Sequence, residues 1–317
     1  MQRYILRRIV LMVPTLFGTT FLVFAMMRLM PGDFTDFLGG DFGALDAETK
    51  ALIQAEFGLD QNWAVQYVGW IADLLRGDFG VSVYSGRPIN DDLIQRLPIT
   101  LELGILAMVI NVIIGIPIGI ISAIRQFSWY DYVGRASAIG LLAVPNFWIA
   151  LLAIALAGKY ALWAVPPPTY PGLLEDPIEN IRFMLFPAIL TGAAGAGYQM
   201  RFGRTAMLEV MRQDYIRTAW SKGLQERAVI IKHGLRNALI PIVTVIGLFL
   251  PGLIGGTVVI ETIYSIPGMG RYFIHALNGR DLFIVQALAV IFTLVVIFSN
   301  FVVDILYSVL NPRIRYS

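Results

Sequence analysis

The chain has 317 residues, of which 57% are hydrophobic and only 15% charged, with a mean hydropathy of +0.69. Soluble domains carry roughly 25% charged residues, so this balance excludes an ordinary soluble protein and points to a chain embedded in a membrane. The formal net charge of +2 argues for no nucleic-acid or acidic partner, and the absence of cysteine excludes disulfides, thiolate nucleophiles and iron–sulfur sites.

Six stretches without Asp, Glu, Lys, Arg or His, residues 9–27, 103–124, 136–158, 183–200, 237–260 and 282–303, are 18 to 24 residues long. At about 1.5 Å of rise per residue each can cross a hydrocarbon core of roughly 30 Å, the shortest with help from its flanks. The pattern predicts an all-α polytopic membrane protein with six transmembrane helices in a single domain over 1–317. The first stretch follows arginines but precedes no small-x-small cleavage site, and reads as a retained helix.

Between the first two spans, in segment 28–102, Asn62 is placed to cap a helix running to Gly77. Along it Ala64, Val68, Ile71 and Leu75 form an apolar stripe at spacings of 4, 3 and 4, and Gly58 closes a shorter helix that begins near Asp46. Such helices lie on the outer membrane face or over a pore mouth, or shield the ends of their neighbours. Gly-Asp-Phe triplets at Gly32, Gly40 and Gly77 are turn chemistry.

Within the spans, Asn111 and Pro117 in the second, Pro145 and Asn146 in the third and Pro251 and Gly252 in the fifth break the apolar helical pattern. Proline frees a carbonyl that in lipid needs a protein or water partner, so these residues are candidates for a translocation path or hinge; the plainer reading is a tolerated kink against a neighbouring helix. The fourth span is rich in glycine and alanine over Gly192–Gly197, a surface for helix packing first and pore lining second. Of the 24 Lys and Arg, 15 fall in the alternate segments that include both termini, against four in the two short segments of the other set. Both termini are therefore expected in the cytoplasm.

Segment 201–236 holds eight Lys and Arg against three acidic residues. Gly223 separates Asp214–Lys222 from a second amphipathic stretch, whose apolar residues Leu224, Ala228, Ile231 and Leu235 again step by 4, 3 and 4. A glycine there permits a left-handed turn, so the first piece can fold back as a short helix parallel to the membrane. Attraction to anionic headgroups would account for the charge but not for this helix–glycine–helix order.

The run Asp214-Tyr215-Ile216-Arg217-Thr218-Ala219-Trp220-Ser221-Lys222-Gly223-Leu224, followed by His233-Gly234-Leu235-Arg236-Asn237-Ala238-Leu239-Ile240-Pro241, resembles the signature loop of ABC importer permeases, closest to the peptide/nickel branch of dipeptide and oligopeptide permease B type. The resemblance covers nearly the whole chain: Arg3-Tyr4-Ile5-Leu6-Arg7-Arg8, Pro31-Gly32-Asp33, Gly58-Leu59-Asp60 with Gln66-Tyr67 and Trp70, Gly77-Asp78-Phe79-Gly80, Arg96-Leu97-Pro98-Ile99-Thr100-Leu101, Ile266-Pro267-Gly268-Met269-Gly270 and the tail Asn311-Pro312-Arg313-Ile314-Arg315. Arg217-Thr218-Ala219 stands where the general signature has Glu-Ala-Ala, a drift the peptide branch shares. The resemblance implies a type I ABC importer permease fold in a bacterial cytoplasmic (inner) membrane. It also implies a sister permease, two ATPase subunits that bind ATP and Mg, and an extracytoplasmic binding protein that delivers a di- or oligopeptide; nickel chelates and glutathione are alternative cargoes. The signature loop then docks on the ATPase through Ala219, Trp220, Lys222, Gly223 and Leu224, with Glu226 and Arg227 at the edge.

The chain itself is not the motor. It has no G-x-x-x-x-G-K-[ST] phosphate loop, and its one Gly-Lys pair, Gly158-Lys159, is followed by Tyr160. With two histidines, His233 and His275, and no cysteine, neither a metal site nor another cofactor is expected. An ion-coupled transporter would keep a carboxylate near the bilayer midplane, whereas Glu102, Glu261 and Asp304 lie at span ends. No catalytic constellation of an intramembrane protease is present.

Overall fold

The computed structural model describes residues 2–29, 46–56, 58–160 and 169–310. Pro31-Gly32-Asp33, the triplets at Gly32 and Gly40, and the tail from Asn311 lie outside the described residues. All regular elements described are helices, and the chain divides into two compact units, one of Met1–Ile5, Pro98–Arg271 and Val296–Ser317, the other of Leu6–Leu97 and Tyr272–Val295.

In the smaller unit, α1 (Gln2–Leu29) is followed by α2 (Ala47–Glu56) and α3 (Trp63–Leu75). The ends of α3 are set by local chemistry: Asn62 Oδ1 accepts from the Ala64 amide at 2.9 Å, and beyond the last turn Gly77 adopts φ +81°. Gly58, at φ +63°, separates α2 from α3. The apolar stripe expected on α3 is not used for packing within this unit, since Val68 is 67% and Leu75 81% exposed. The face that packs is the adjacent one. Trp70 stacks on the buried Phe24 of α1, Tyr67 meets the same ring edge-on, and the Tyr67 hydroxyl lies 2.9 Å from that of Thr20. Large aromatic rings with one polar tip outcompete β-branched and aliphatic residues for this contact because they bury more surface per side chain.

Two further helices, α10 (Met269–Asn278) and α11 (Leu282–Leu310), contribute to this unit from Tyr272 to Val295. Asp281 ties them to residues 82–83: its carboxylate accepts from Ser82 Oγ at 2.7 Å and the Val83 amide at 3.2 Å, while its other oxygen caps α11 through the Ile284 amide. The Tyr272 hydroxyl donates to Asp92 at 2.8 Å, beneath the Arg96 guanidinium.

In the larger unit, α4 (Ile89–Ile124, belonging here from Pro98), α5 (Trp129–Ala143), α6 (Asn146–Tyr160), α7 (Pro177–Met211) and α9 (Arg236–Ile263) surround a core that includes Leu103, Met184, Ala188, Ile260 and Ile266. Helix α7 is central, packing on α5, α6 and α9. Its approach to α4 is close enough to exclude larger side chains. A Cβ at Gly119 would stand 2.6 Å from the Met200 carbonyl oxygen, one at Gly115 2.6 Å from Gln199 Cβ, and one at Gly192 would collide with the Ala107 carbonyl. The small-residue surface of α7 thus serves helix packing.

Among the described residues, five helical stretches are long and apolar enough to cross a membrane: Val10–Leu29, Ile89–Ile124, Pro177–Met211, Glu226–Gly247 and Leu282–Ile305. The stretch 136–158 is divided between α5 and α6, which meet at a 90° bend at the Pro145-Asn146 break and together make a sixth span if the bent pair is counted as one. The cause is Pro145. It forces the preceding Val144 into extended conformation (φ −98°, ψ 123°) and supplies no amide, so the helix must restart at Asn146. Pro117 and Pro251, by contrast, sit inside unbroken helices.

Candidate coupling site and translocation path

Helix α8 (Asp214–Ser221) leaves α7 after a two-residue turn and ends in a Schellman motif: the Leu224 amide donates to the Ala219 carbonyl at 3.4 Å and the Gly223 amide to that of Trp220 at 2.9 Å. Gly223 has φ +73°, and no atom lies within 4 Å of where a Cβ would stand, so glycine is required by backbone conformation rather than by space. The inner face of α8 is small and apolar. Ile216 and Ala219 pack with Val229 and Met211, which leaves Ala219 6% exposed. The outer side carries Trp220, 44% exposed, together with exposed Lys222, Gly223, Leu224, Glu226 and Arg227. Of the seven residues assigned to docking, six are therefore exposed, and Ala219 is buried against Met211 and Val229.

The stretch after Gly223 differs from a regular amphipathic helix. A single α-helical turn, Glu226–Ala228, runs into a π-helix, Val229–Leu235, and then into α9. The expected stripe of Leu224, Ala228, Ile231 and Leu235 is corrected: Leu224 and Ile231 are exposed, and the buried positions are Val229 and Gly234, five apart. A π-turn widens the repeat so that residues at this spacing share a face. Gly234 fits against α7, where a Cβ would come within 2.9 Å of Met207 Cε and 3.0 Å of Met211 Sδ. The short helix is thus rooted through apolar contacts to both the end of α7 and the π-helix that leads into α9.

Near this end of α7 lies an ion pair that sequence reasoning does not locate. Arg204 Nε and Nη2 reach Asp131 Oδ1 and Oδ2 at 2.8 and 3.0 Å, a bidentate arrangement. Ser122 Oγ donates to the same carboxylate at 2.6 Å and the Phe127 amide at 3.1 Å, the latter from a residue at φ +62°. One carboxylate with no exposed surface thereby joins α4, the turn after it, α5 and α7. A second such hub surrounds Glu261, also fully buried. Thr100 Oγ1 donates to Glu261 Oε1 at 2.8 Å and accepts from the Met269 amide at 2.8 Å, while the Arg271 amide donates to Oε2 at 3.0 Å. The carboxylate faces the first turn of α10, where it complements the helix dipole. The motifs around Thr100 and Gly268 thus meet at one place: a Cβ at Gly268 would clash with Glu261 and stand 2.7 Å from Thr100 Oγ1.

The candidate path residues are dispersed. Asn111 is 1% exposed and packs on α7, its amide 2.6 Å from where a Cβ at Gly195 would be, and its Oδ1 has no hydrogen-bond partner among the described residues. Pro117 and Pro145 are exposed, Asn146 and Pro251 half-buried, and Gly252 is exposed with open space around it. Among the described residues no group of three His, Asp or Glu side chains is arranged as metal ligands.

Comparison with known proteins accords with this architecture. The family model described as "Binding-protein-dependent transport system inner membrane component" matches residues 115–316, and the one described as "Binding-prot-dependent transport system membrane comp, N-term" matches 1–104. The dipeptide transport system permease protein DppB of Escherichia coli is 37% identical over 340 residues, covering 100% of this chain and 99% of its own. The oligopeptide transport system permease protein AppB of Bacillus subtilis is 38% identical over 324 residues, covering both chains fully. A solved structure of the MetNI methionine ABC transporter in an inward-facing conformation matches with a TM-score of 0.56 at 16% identity, over 69% of this chain and 95% of that one, which shows a shared fold. With both family models matched along almost its full length and relatives of this similarity, the chain belongs to the inner-membrane components of binding-protein-dependent transport systems: it is an ABC importer permease.

Proposed function

We propose that the chain forms six spans with both termini cytoplasmic, adopts the type I importer arrangement, and pairs with a sister permease to pass di- or oligopeptides inward by alternating access. ATP is hydrolysed by two partner ATPase subunits, and an extracytoplasmic binding protein supplies the peptide. The bent pair α5 and α6 counts as the third span. The names of DppB and AppB, as dipeptide and oligopeptide permeases, support the choice of cargo.

One observation carries the coupling role: α8 is anchored inward by Ile216 and Ala219 and displays Trp220, Lys222, Leu224, Glu226 and Arg227 outward around the Gly223 turn. An ATPase groove closing on that surface pushes a short rigid body. The Met211 and Val229 contacts pass the displacement to α7 and, through the π-helix, to α9; these two long helices pack on each other and so move as a unit between discrete states. The π-helix and the Gly223 turn are the places where the backbone can take up the change. Asn111, Pro117, Pro145, Asn146, Pro251 and Gly252 remain the candidates for path or hinge, with the 90° bend at Pro145 the strongest hinge among them.

The test is Gly223→Val. It keeps the docking side chains but places a β-branched residue at positive φ, which disfavours the cap by about 1–2 kcal/mol. The assembled complex in proteoliposomes is expected to hydrolyse ATP without accumulating labelled dipeptide; normal uptake by the variant would refute the lever. Mass spectrometry of the ligand carried by the associated binding protein tests the cargo, and a nickel chelate there would end the peptide assignment. Uptake that survives a protonophore but not ATP depletion separates this machine from an ion-coupled one.

A further inference from the structure

A cavity of about 360 Å³ opens between α4, α5 and α7 and takes no part in the coupling surface or the proposed path. Ile139 and Leu142 give it an apolar wall, while Ser122, Arg135, Arg201, Arg204 and Thr205 supply its polar side chains. No acidic side chain lines it; Asp131 is buried behind Arg204 and already paired with it. Arg135 and Arg201 are exposed, and neither guanidinium has an ion pair or hydrogen bond among the described residues. Arg201 and Arg204 occupy the last three turns of α7, which leads directly into α8. The cavity therefore combines unneutralised cations with an apolar slot, at the end of the helices that bears the coupling helix.

We propose that this cavity holds an anionic phospholipid of the cytoplasmic leaflet, its phosphate between Arg135 and Arg201 and an acyl chain along Ile139 and Leu142. The choice of leaflet rests on the orientation proposed above. A zwitterionic headgroup brings its own cation up to two free guanidinium groups and so gains less from them than one with net negative charge, and a soluble anion makes no use of the apolar wall, so the paired features select an amphiphile with a negative head. A lipid seated there braces α5 against α7 beside the Asp131–Arg204 pair, and so stiffens the end of α7 that moves with α8.

The test uses the assembled complex, delipidated in detergent and titrated with phosphatidylglycerol, with retained lipid counted by native mass spectrometry. One phosphatidylglycerol per copy of this chain is expected to depend on the two arginines. Since each surface cation is worth about fivefold in binding an anionic lipid, Arg135→Gln/Arg201→Gln is expected to weaken that binding by about twenty-fivefold. Equal retention of phosphatidylcholine with the same acyl chains, or unchanged retention by the double variant, overturns the proposal. So does displacement by glycerol phosphate, which would mark a site for soluble anions. A photoreactive side chain at position 139 should capture lipid; capture of the sister permease instead would show a protein–protein contact and overturn it as well. The readout requires neither ATP nor peptide. A complex that couples ATP to peptide uptake yet fails these tests leaves the transport function standing, whereas loss of that function does not alter the lipid count.

Discussion

The Asp131–Arg204 pair allows an unequal outcome to be predicted for its two halves. Arg204→Gln strands a carboxylate with no exposed surface, left with only the Ser122 hydroxyl and the Phe127 amide. Asp131→Asn leaves a guanidinium whose side chain is 20% exposed and borders the cavity, so it can turn toward water. Breaking a buried pair from one side costs about 3–5 kcal/mol. Because this pair lies near the helix ends, the lower part of that range applies to Arg204→Gln, about 3 kcal/mol, and about 1–2 kcal/mol is expected for Asp131→Asn. The double variant restores an uncharged pair able to share a hydrogen bond, so its loss should fall short of the summed single losses by about 2 kcal/mol. The assay is the thermal midpoint of the purified complex in detergent, where Arg204→Gln should fall furthest, by on the order of 5–10 °C. If Asp131→Asn is the more damaging, or if the two losses add, the carboxylate is not held by Arg204 and the joining of α4, α5 and α7 through it is refuted.

Other substitutions test the remaining joints. Gly268→Ala pushes a methyl group into Glu261 and Thr100 and should cost about 1–3 kcal/mol, while Gly252→Ala, with nothing within 4 Å, should be neutral or stabilise by up to about 1 kcal/mol; the same thermal assay compares them directly. The Tyr170 hydroxyl donates to Glu102 at 2.8 Å, and burial, reinforced by that carboxylate, raises its pKa well above the ordinary tyrosine value. Because the folded form holds this proton more tightly than the unfolded chain, the contribution is complete below pH ~10 and is lost as pH rises above it; Tyr170→Phe should reduce the loss of thermal stability between about pH 10 and 12. Asn62→Ala removes the cap of α3 and should lower helix protection in hydrogen exchange over residues 63–66 by about 1 kcal/mol.

What can be read from the chain alone is chemistry confined to a few neighbouring residues. Asn62, Gly58 and Gly77 each act within one turn, and the ends of α2 and α3 fall close to the positions these residues predict. Gly223 likewise punctuates α8, and Pro145 interrupts its span. Composition locates the apolar helices because crossing a bilayer demands many consecutive residues of one kind, a signal that does not depend on partners. It does not fix their full extent. Helix α4 begins at Ile89, fourteen residues before the apolar stretch at 103, since polar residues continue a helix wherever protein or water can receive them.

Two kinds of information are missing from the sequence pattern. The first is which face of an amphipathic helix wins its neighbour: Val68 and Tyr67 are both apolar enough, and only the presence of Phe24 and Thr20 on α1 decides for Tyr67. Periodicity fails for the same reason between Val229 and Leu235, where fitting Gly234 against Met207 and Met211 favours a π-turn over the 3.6-residue repeat that pattern reading assumes. The second is pairing over distance. Asp131 and Arg204 are 73 residues apart, Thr100 and Glu261 161, and Ser82 and Asp281 199. Each of these acidic residues, taken singly, looks like a charge that merely brackets a span. In a protein whose helices bury few polar groups, however, a carboxylate with no exposed surface must be satisfied by something specific, and its partners come from elements that have to stay in register. The scarce buried charges therefore mark the joints that hold one helix to the next, while the wide apolar surfaces between them leave those helices free to shift as units.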